Sequence, residues 1–132
     1  MKQLLLLALV IIVGVVVLRM YSGSKPSTPA YQTLTAEEAK ARLDSGDSLV
    51  LLDVRTREEY AGGHIPTAVC LPNEEIGQDV SMLLPDFNAE ILVYCRSGRR
   101  SKKAAAKLAK LGYTKVCDFG GINNWTYETT TE

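Results

Sequence analysis

Histidine is almost missing from this chain of 132 residues: His64 is the only one. Cysteine is scarce and odd in number, at positions 70, 95 and 117 with no Cys-x-x-Cys pair. A fully paired disulfide scaffold is therefore excluded, and with one histidine no zinc set of the usual spacing can be assembled. Net charge is also absent, fifteen Lys and Arg facing fifteen Asp and Glu, so bulk electrostatics give no reason to expect nucleic acid as the main partner. No internal repeat is visible. A composition 46% apolar and 23% charged rules out collagen-like and wholly disordered chains and suits one ordinary globular domain.

The neutral total hides a division. Residues 31–95 contain twelve acids and four bases, whereas residues 96–117 contain Arg96, Arg99, Arg100, Lys102, Lys103, Lys107, Lys110, Lys115 and no acid. The second stretch is built to meet anions.

Leu4 to Leu18 is strongly apolar throughout except for Gly14, with Lys2 before it and Arg19 after it. As a helix these residues would span about 22 Å, short of a bilayer's hydrocarbon core unless Met20 and Tyr21 extend it while Arg19 snorkels. Two readings stay open for residues 1–21: an uncleaved anchor, or a signal peptide ending near Ser22-Gly23-Ser24. No cysteine follows the run, so a lipoprotein anchor is excluded. Both readings expect a domain at the cell envelope, anchored or exported. Residues 22–32, rich in Ser, Pro and Thr, read as a flexible linker. A domain is expected over 33–126, with a frayed tail over 127–132.

Within the domain, Thr35 and Glu38 form a capping box for a helix running to about Ser45, stopped by Gly46. Leu49 to Val54 is a continuous apolar run, as in a strand buried on both faces. Thr56 and Glu59 form a second capping box ahead of a short helix that ends at Gly62-Gly63. Ala68 to Leu71 reads as a strand, a helix is expected within Glu74 to Leu84, and Ile91 to Tyr94 is a second buried strand. Helical spacing returns at Ala104, Ala105, Leu108 and Leu111, and a last strand runs from Lys115 to Phe119. This alternation predicts an α/β sandwich with a mainly parallel sheet.

The chemistry concentrates at Cys95-Arg96-Ser97-Gly98-Arg99-Arg100-Ser101, where a buried strand gives way to a helix. In open α/β sheets this carboxyl edge is where ligands bind. A loop curling into a helix aims successive N–H groups at one point, and Gly98 permits the curl. A thiol there, among Arg96, Arg99 and Arg100, should ionise below the free value of about 8.5. Cys95 is thus a candidate nucleophile that needs no histidine.

Asp53-Val54-Arg55, Glu59-Tyr60, Gly63-His64-Ile65-Pro66, the Cys95–Ser101 loop, and Gly120-Gly121 before Trp125 together resemble the single-domain rhodanese family of sulfurtransferases, in order and spacing. The resemblance implies a three-layer α/β sandwich around a five-stranded, mainly parallel sheet of order 1-5-4-2-3, here preceded by the N-terminal apolar helix. It implies that Cys95 carries a persulfide, formed from a small anionic donor such as thiosulfate and passed to cyanide or a thiol acceptor, a thioredoxin-like protein included. Residues Arg96 to Ser101 would hold the substrate and Asp53 and Arg55 would support them, in a monomer with no cofactor, metal or nucleic acid. One departure is visible: Thr67-Ala68 stands where the family usually has Gly-Ala.

Two rival functions remain. Tyrosine phosphatases and arsenate reductases place Arg six positions after the cysteine, where this chain has Ser101, with Arg100 one short; the shorter loop favours sulfur chemistry. A non-catalytic docking or sulfide-sensing module would usually have lost its cysteine. Simpler roles are expected elsewhere: Asp53 as a structural hydrogen-bond partner, Arg55 paired with Glu58 or Glu59, His64 as a turn histidine bonded to backbone, and the lysines after the loop as a solvated face. The implied sheet order puts Cys70 and Cys117 three strand spacings apart, roughly 14 Å, too far for a disulfide. Both are expected free, buried and inert.

Overall fold

The structure, a computed structural model, describes residues 1–21 and 30–132. The expected linker therefore lies, up to residue 29, outside the described residues. Helix α1, Lys2–Tyr21, has 20 residues and is about 30 Å long. Its first 18 have a mean hydropathy of 2.3 and none of that stretch is buried. It is long and apolar enough to cross a membrane, a condition that a signal sequence meets equally well.

The domain contains β1 (Gln32–Thr33), α2 (Ala36–Asp44), β2 (Val50–Asp53), α3 (Arg57–Ala61), β3 (Val69–Cys70), β4 (Glu90–Cys95), α4 (Arg99–Lys110) and β5 (Lys115–Gly121). The five strands form one sheet, β1-β5-β4-β2-β3, with every pairing parallel. This is an α/β fold of the expected order. Successive side chains of a strand face opposite ways, and both faces of β4 are covered. Ile91 and Val93 pack with Ala104, Ala105 and Leu108 of α4, while Leu92 and Tyr94 pack with Ala39 of α2 and with Phe119. That double cover is why the central strands read as unbroken apolar runs.

Both capping boxes form. The Thr35 and Thr56 side chains accept from the Glu38 and Glu59 amides, and each glutamate accepts from the amide of its threonine. Two expectations fail, and one strand was not anticipated from the residues. The segment Glu74 to Leu84 holds no α-helix but two 3-10 turns, Asn73–Glu75 and Gln78–Met82, divided at extended Gly77, which interrupts the i→i−4 ladder. Strand β1 has no apolar pattern; its two exposed residues are recruited by pairing with β5. The tail is not frayed: Thr130 and His64 exchange backbone hydrogen bonds of 2.8 Å, and the Trp125 indole donates to the Glu128 carbonyl.

The departure at Thr67 has a backbone counterpart. Thr67 has φ 73°, the only positive φ outside glycine among the described residues, and a β-branched side chain is strained there. Thr67→Gly is expected to stabilise the fold by about 1 kcal/mol, raising the midpoint of thermal unfolding by several degrees; a lower midpoint would show that the turn carries no strain.

Candidate active site

Strand β4 ends on Cys95, and there the sheet changes register. Val93 sits opposite Asp118, but Cys95 sits opposite Gly121, so β5 carries one residue more than β4 across this interval. Such a bulge bends the strand and re-aims its neighbours. Gly121 thereby lies directly against the loop: a β-carbon on it would meet the Arg96 carbonyl oxygen at 2.1 Å and the Ser97 α-carbon at 2.7 Å. The Asn123 amide donates to the same carbonyl at 3.1 Å. The loop is seated on the end of β5 from below.

From that seat the chain turns through Gly98, whose φ of 99° lies in the left-handed region that glycine tolerates. Helix α4 follows with no side-chain N-cap, so its first amides are left for another acceptor. The acceptor is Cys95. The Gly98 amide donates to Sγ at 3.0 Å, and the Cys95 residue is only 1% exposed. Burial by itself would raise the thiol, but the Ser101 hydroxyl and the amides of Ser101, Gly98 and Ser97 outweigh it and bring it below the ordinary thiol range. The Ser101 hydroxyl has neutral acceptors within reach as well, the Gly98 carbonyl at 3.1 Å and the Gly120 carbonyl at 3.3 Å. A full charge on the sulfur attracts its single proton more strongly than either.

The arginines divide differently from the sequence reading, which had all three lowering the thiol. The amides and the Ser101 hydroxyl do most of that work. Arg100 makes a two-pronged pair with Glu59 of α3, at 2.7 and 3.0 Å, and its charge is felt by the sulfur. Chiefly through that hydrogen bond, Glu59 is drawn down to about 2. The side chains of Arg96 and Arg99 are exposed and have no carboxylate partner among the described residues. Glu59 also accepts from Thr56, so one carboxylate closes a helix cap and anchors the loop arginine. The capping box concealed that second role.

Asp53, fully buried at the end of β2, accepts from the Arg55 amide and guanidinium and from the Tyr94 hydroxyl at 2.8 Å. Arg55 therefore pairs with Asp53 and donates to the Gly63 carbonyl, not with Glu58 or Glu59. The buried carboxylate needs the charge, and α3 points its acids elsewhere. Tyr94 was missed as a polar member because it lies in an apolar run. Its hydroxyl accepts from the Ile65 amide, which ties the Gly63–Pro66 turn to the strand that ends on Cys95.

His64 is buried, stacks on Tyr60 at 3.7 Å, and sets Nδ1 against the Tyr60 carbonyl and Nε2 against the Glu132 carbonyl. It is occupied with backbone, away from the thiol. Cys70 and Cys117 are free. Burial pushes both thiols up, but Cys70 is only half-buried because β3 is an edge strand.

The chain matches the family model for the rhodanese-like domain over residues 35–128. The Bacillus subtilis protein YrkF is 37% identical over 107 residues, which are 80% of this chain and 57% of that protein, so the chain spans little more than half of that relative. Thiosulfate sulfurtransferase PspE of Escherichia coli is 36% identical over 73 residues, 55% of this chain and 70% of that one. A solved E. coli structure described as a rhodanese with anions superposes with a TM-score of 0.60 at 30% identity, covering 64% of this chain and all of that one.

The seat on β5 makes a direct prediction. Gly121→Ala must displace Arg96 and Ser97, and with them the amides aimed at the sulfur. Alkylation of Cys95 by iodoacetamide, followed against pH, is expected to shift its midpoint upward by about one unit. An unchanged midpoint in a folded variant would show that β5 does not shape the cradle.

Proposed function

Because the chain belongs to the rhodanese-like domain family and is related to sulfurtransferases, we propose that it takes the outer sulfur of thiosulfate onto Cys95 and passes it to cyanide or a thiol. The observation that carries this reading is the Gly98 amide 3.0 Å from Sγ, and the Ser101 hydroxyl and the Ser101 and Ser97 amides also favour the ionised sulfur.

The reaction then follows from the geometry. The Cys95 thiolate attacks the outer sulfur of thiosulfate; a new S–S bond forms, the old one breaks, and its electron pair leaves with sulfite. The reacting form is the thiolate, so no proton moves in the transfer step itself. The charge now sits on the outer sulfur of the persulfide, where the loop amides receive it as they received the thiolate. An acceptor thiolate next attacks that outer sulfur, and the pair of the broken S–S bond returns to Cys95 as thiolate. One sulfur has moved and no outside oxidant or reductant is consumed. Splitting the transfer in two predicts ping-pong kinetics.

A loop of six residues from Cys95 to Arg100, closed by buried Ser101, suits one sulfur atom better than a phosphate. The N-terminal helix supports a location at the cell envelope, with the domain anchored or exported. A protein that carries a persulfide there needs only small anionic donors and a thiol acceptor, and acts as a monomer.

The expected outcome with thiosulfate is a gain of one sulfur atom in intact mass, reversed by cyanide with release of thiocyanate. Cys95→Ser is expected to show neither, while Cys70→Ser and Cys117→Ser load as the parent does. A parent protein that takes up no sulfur would contradict the proposal.

A further inference from the structure

Helix α4 carries Arg99, Arg100, Lys102, Lys103, Lys107 and Lys110 and no acid. Four of these cations, Arg99, Arg100, Lys102 and Lys103, fall in its first turn or just beyond, at the positive end of the helix dipole, where basic groups are unfavourable. Arg99 with Lys103, and Lys103 with Lys107, are like-charge pairs four residues apart, which also destabilise a helix. Folding alone selects against such an arrangement.

Two of the six cations are occupied: Arg100 by Glu59, and Lys107 by the backbone and side-chain oxygens of Asn73 at 2.8 and 3.0 Å. Arg99, Lys102, Lys103 and Lys110 are exposed, as is Arg96 on the loop, and none has a carboxylate partner among the described residues. The domain's other four arginines, Arg42, Arg55, Arg57 and Arg100, all have one. Among the described residues, of the domain's exposed cations without a carboxylate partner only Lys115, at the start of β5, lies off this surface, and the surface starts at the thiol.

Its extent identifies the class of partner. Arg99 and Lys110 are eleven residues apart on one helix, roughly 16 Å, further than one small dianion can bridge. Beside the first turn of α4 runs a groove lined by Leu34 and Phe119, by Thr33 and Ser97, by Asp118, which is buried and accepts from the Gly120 amide, and by Arg99, Lys102 and Lys103. Apolar surface beside three exposed cations fits an extended polypeptide that bears carboxylates. We propose that this face docks the sulfur acceptor, a protein or peptide whose reactive thiol is flanked by acidic residues, so that binding delivers that thiol to the Cys95 persulfide. The inference rests on the sulfurtransferase reading.

The test uses the full chain, loaded with thiosulfate and desalted. Discharge of the persulfide is timed with 2-mercaptoethanol, with a cysteine peptide flanked by Asp and Glu, and with the same peptide carrying Lys in their place. In Lys102→Glu/Lys103→Glu the acidic peptide is expected to react at least about tenfold more slowly, with its salt dependence abolished, while 2-mercaptoethanol is unaffected. Since the new acids suit the helix dipole, the thermal midpoint should not fall, whereas a merely structural role for these lysines would lower it. Equal slowing with all three acceptors, or none with the acidic peptide, overturns the proposal. It is also overturned if the peptide rate is unchanged and anionic vesicles, unlike zwitterionic ones, protect the α4 lysines of the reconstituted chain from acetylation; the face would then contact lipid. Failure to load sulfur at all is a separate result, read by mass before any acceptor is added, and refutes the underlying reading as well.

Discussion

A buried thiol can be kept ionised only if dipoles replace the water it has lost. In this protein the replacement is the Ser101 hydroxyl together with main chain, the amides of Ser101, Gly98 and Ser97, which favour the ionised sulfur. Main-chain dipoles cannot be supplied by a single side chain; they require a particular path of the backbone, and much of the surrounding architecture maintains that path. Strand β4 delivers Cys95 to the edge of the sheet, Gly98 turns the chain into α4, and the bulged end of β5 supports the loop through Gly121 and the Asn123 amide. On the other side, the network of Asp53, Arg55 and Tyr94 fixes the neighbouring turn. On the proposed reaction the same amides would serve thiolate and persulfide alike, so little would need to reorganise between the two halves of a transfer.

Charge is divided by task. Arg42, Arg55, Arg57 and Arg100 are committed to carboxylates and hold elements together: α2 to β4, the end of β2 to the turn after α3, α3 to the first 3-10 segment, and α3 to the loop. Arg96, Arg99 and the outer lysines of α4 are left uncommitted, in an order that weakens their own helix. A chain whose formal charge is zero thereby presents a cationic surface at its one buried, activated thiol, against a domain that is otherwise acidic.

Much of this was legible in the sequence because it follows from local rules. The capping boxes, the apolar runs of β2 and β4, and a cysteine placed where strand gives way to helix are read from neighbours in the chain. What escaped depends on contacts between distant segments. Strand β1 is two polar residues that pair because β5 offers an edge. The tail is held by the backbone of His64, sixty-odd positions earlier. Glu59 looked satisfied by Thr56, Arg55 was matched to the acids of α3 because the burial of Asp53, two positions before it, is set by the sheet around it, and the value of Gly121 lies in what its missing side chain does not strike. The ring of amides was expected from a loop that curls into a helix, with the three arginines credited beside it; the tie of Arg100 to Glu59 was not read.

The central claim concerns where a second sulfur atom would lie, and a crystal structure of the thiosulfate-treated protein tests it most directly. The account predicts density for one extra atom on Cys95 Sγ, pointing into the loop within hydrogen-bond distance of at least two of the Ser97, Gly98 and Ser101 amides. An extra sulfur turned away from those amides toward solvent, or a treated crystal in which Cys95 carries none, would contradict it.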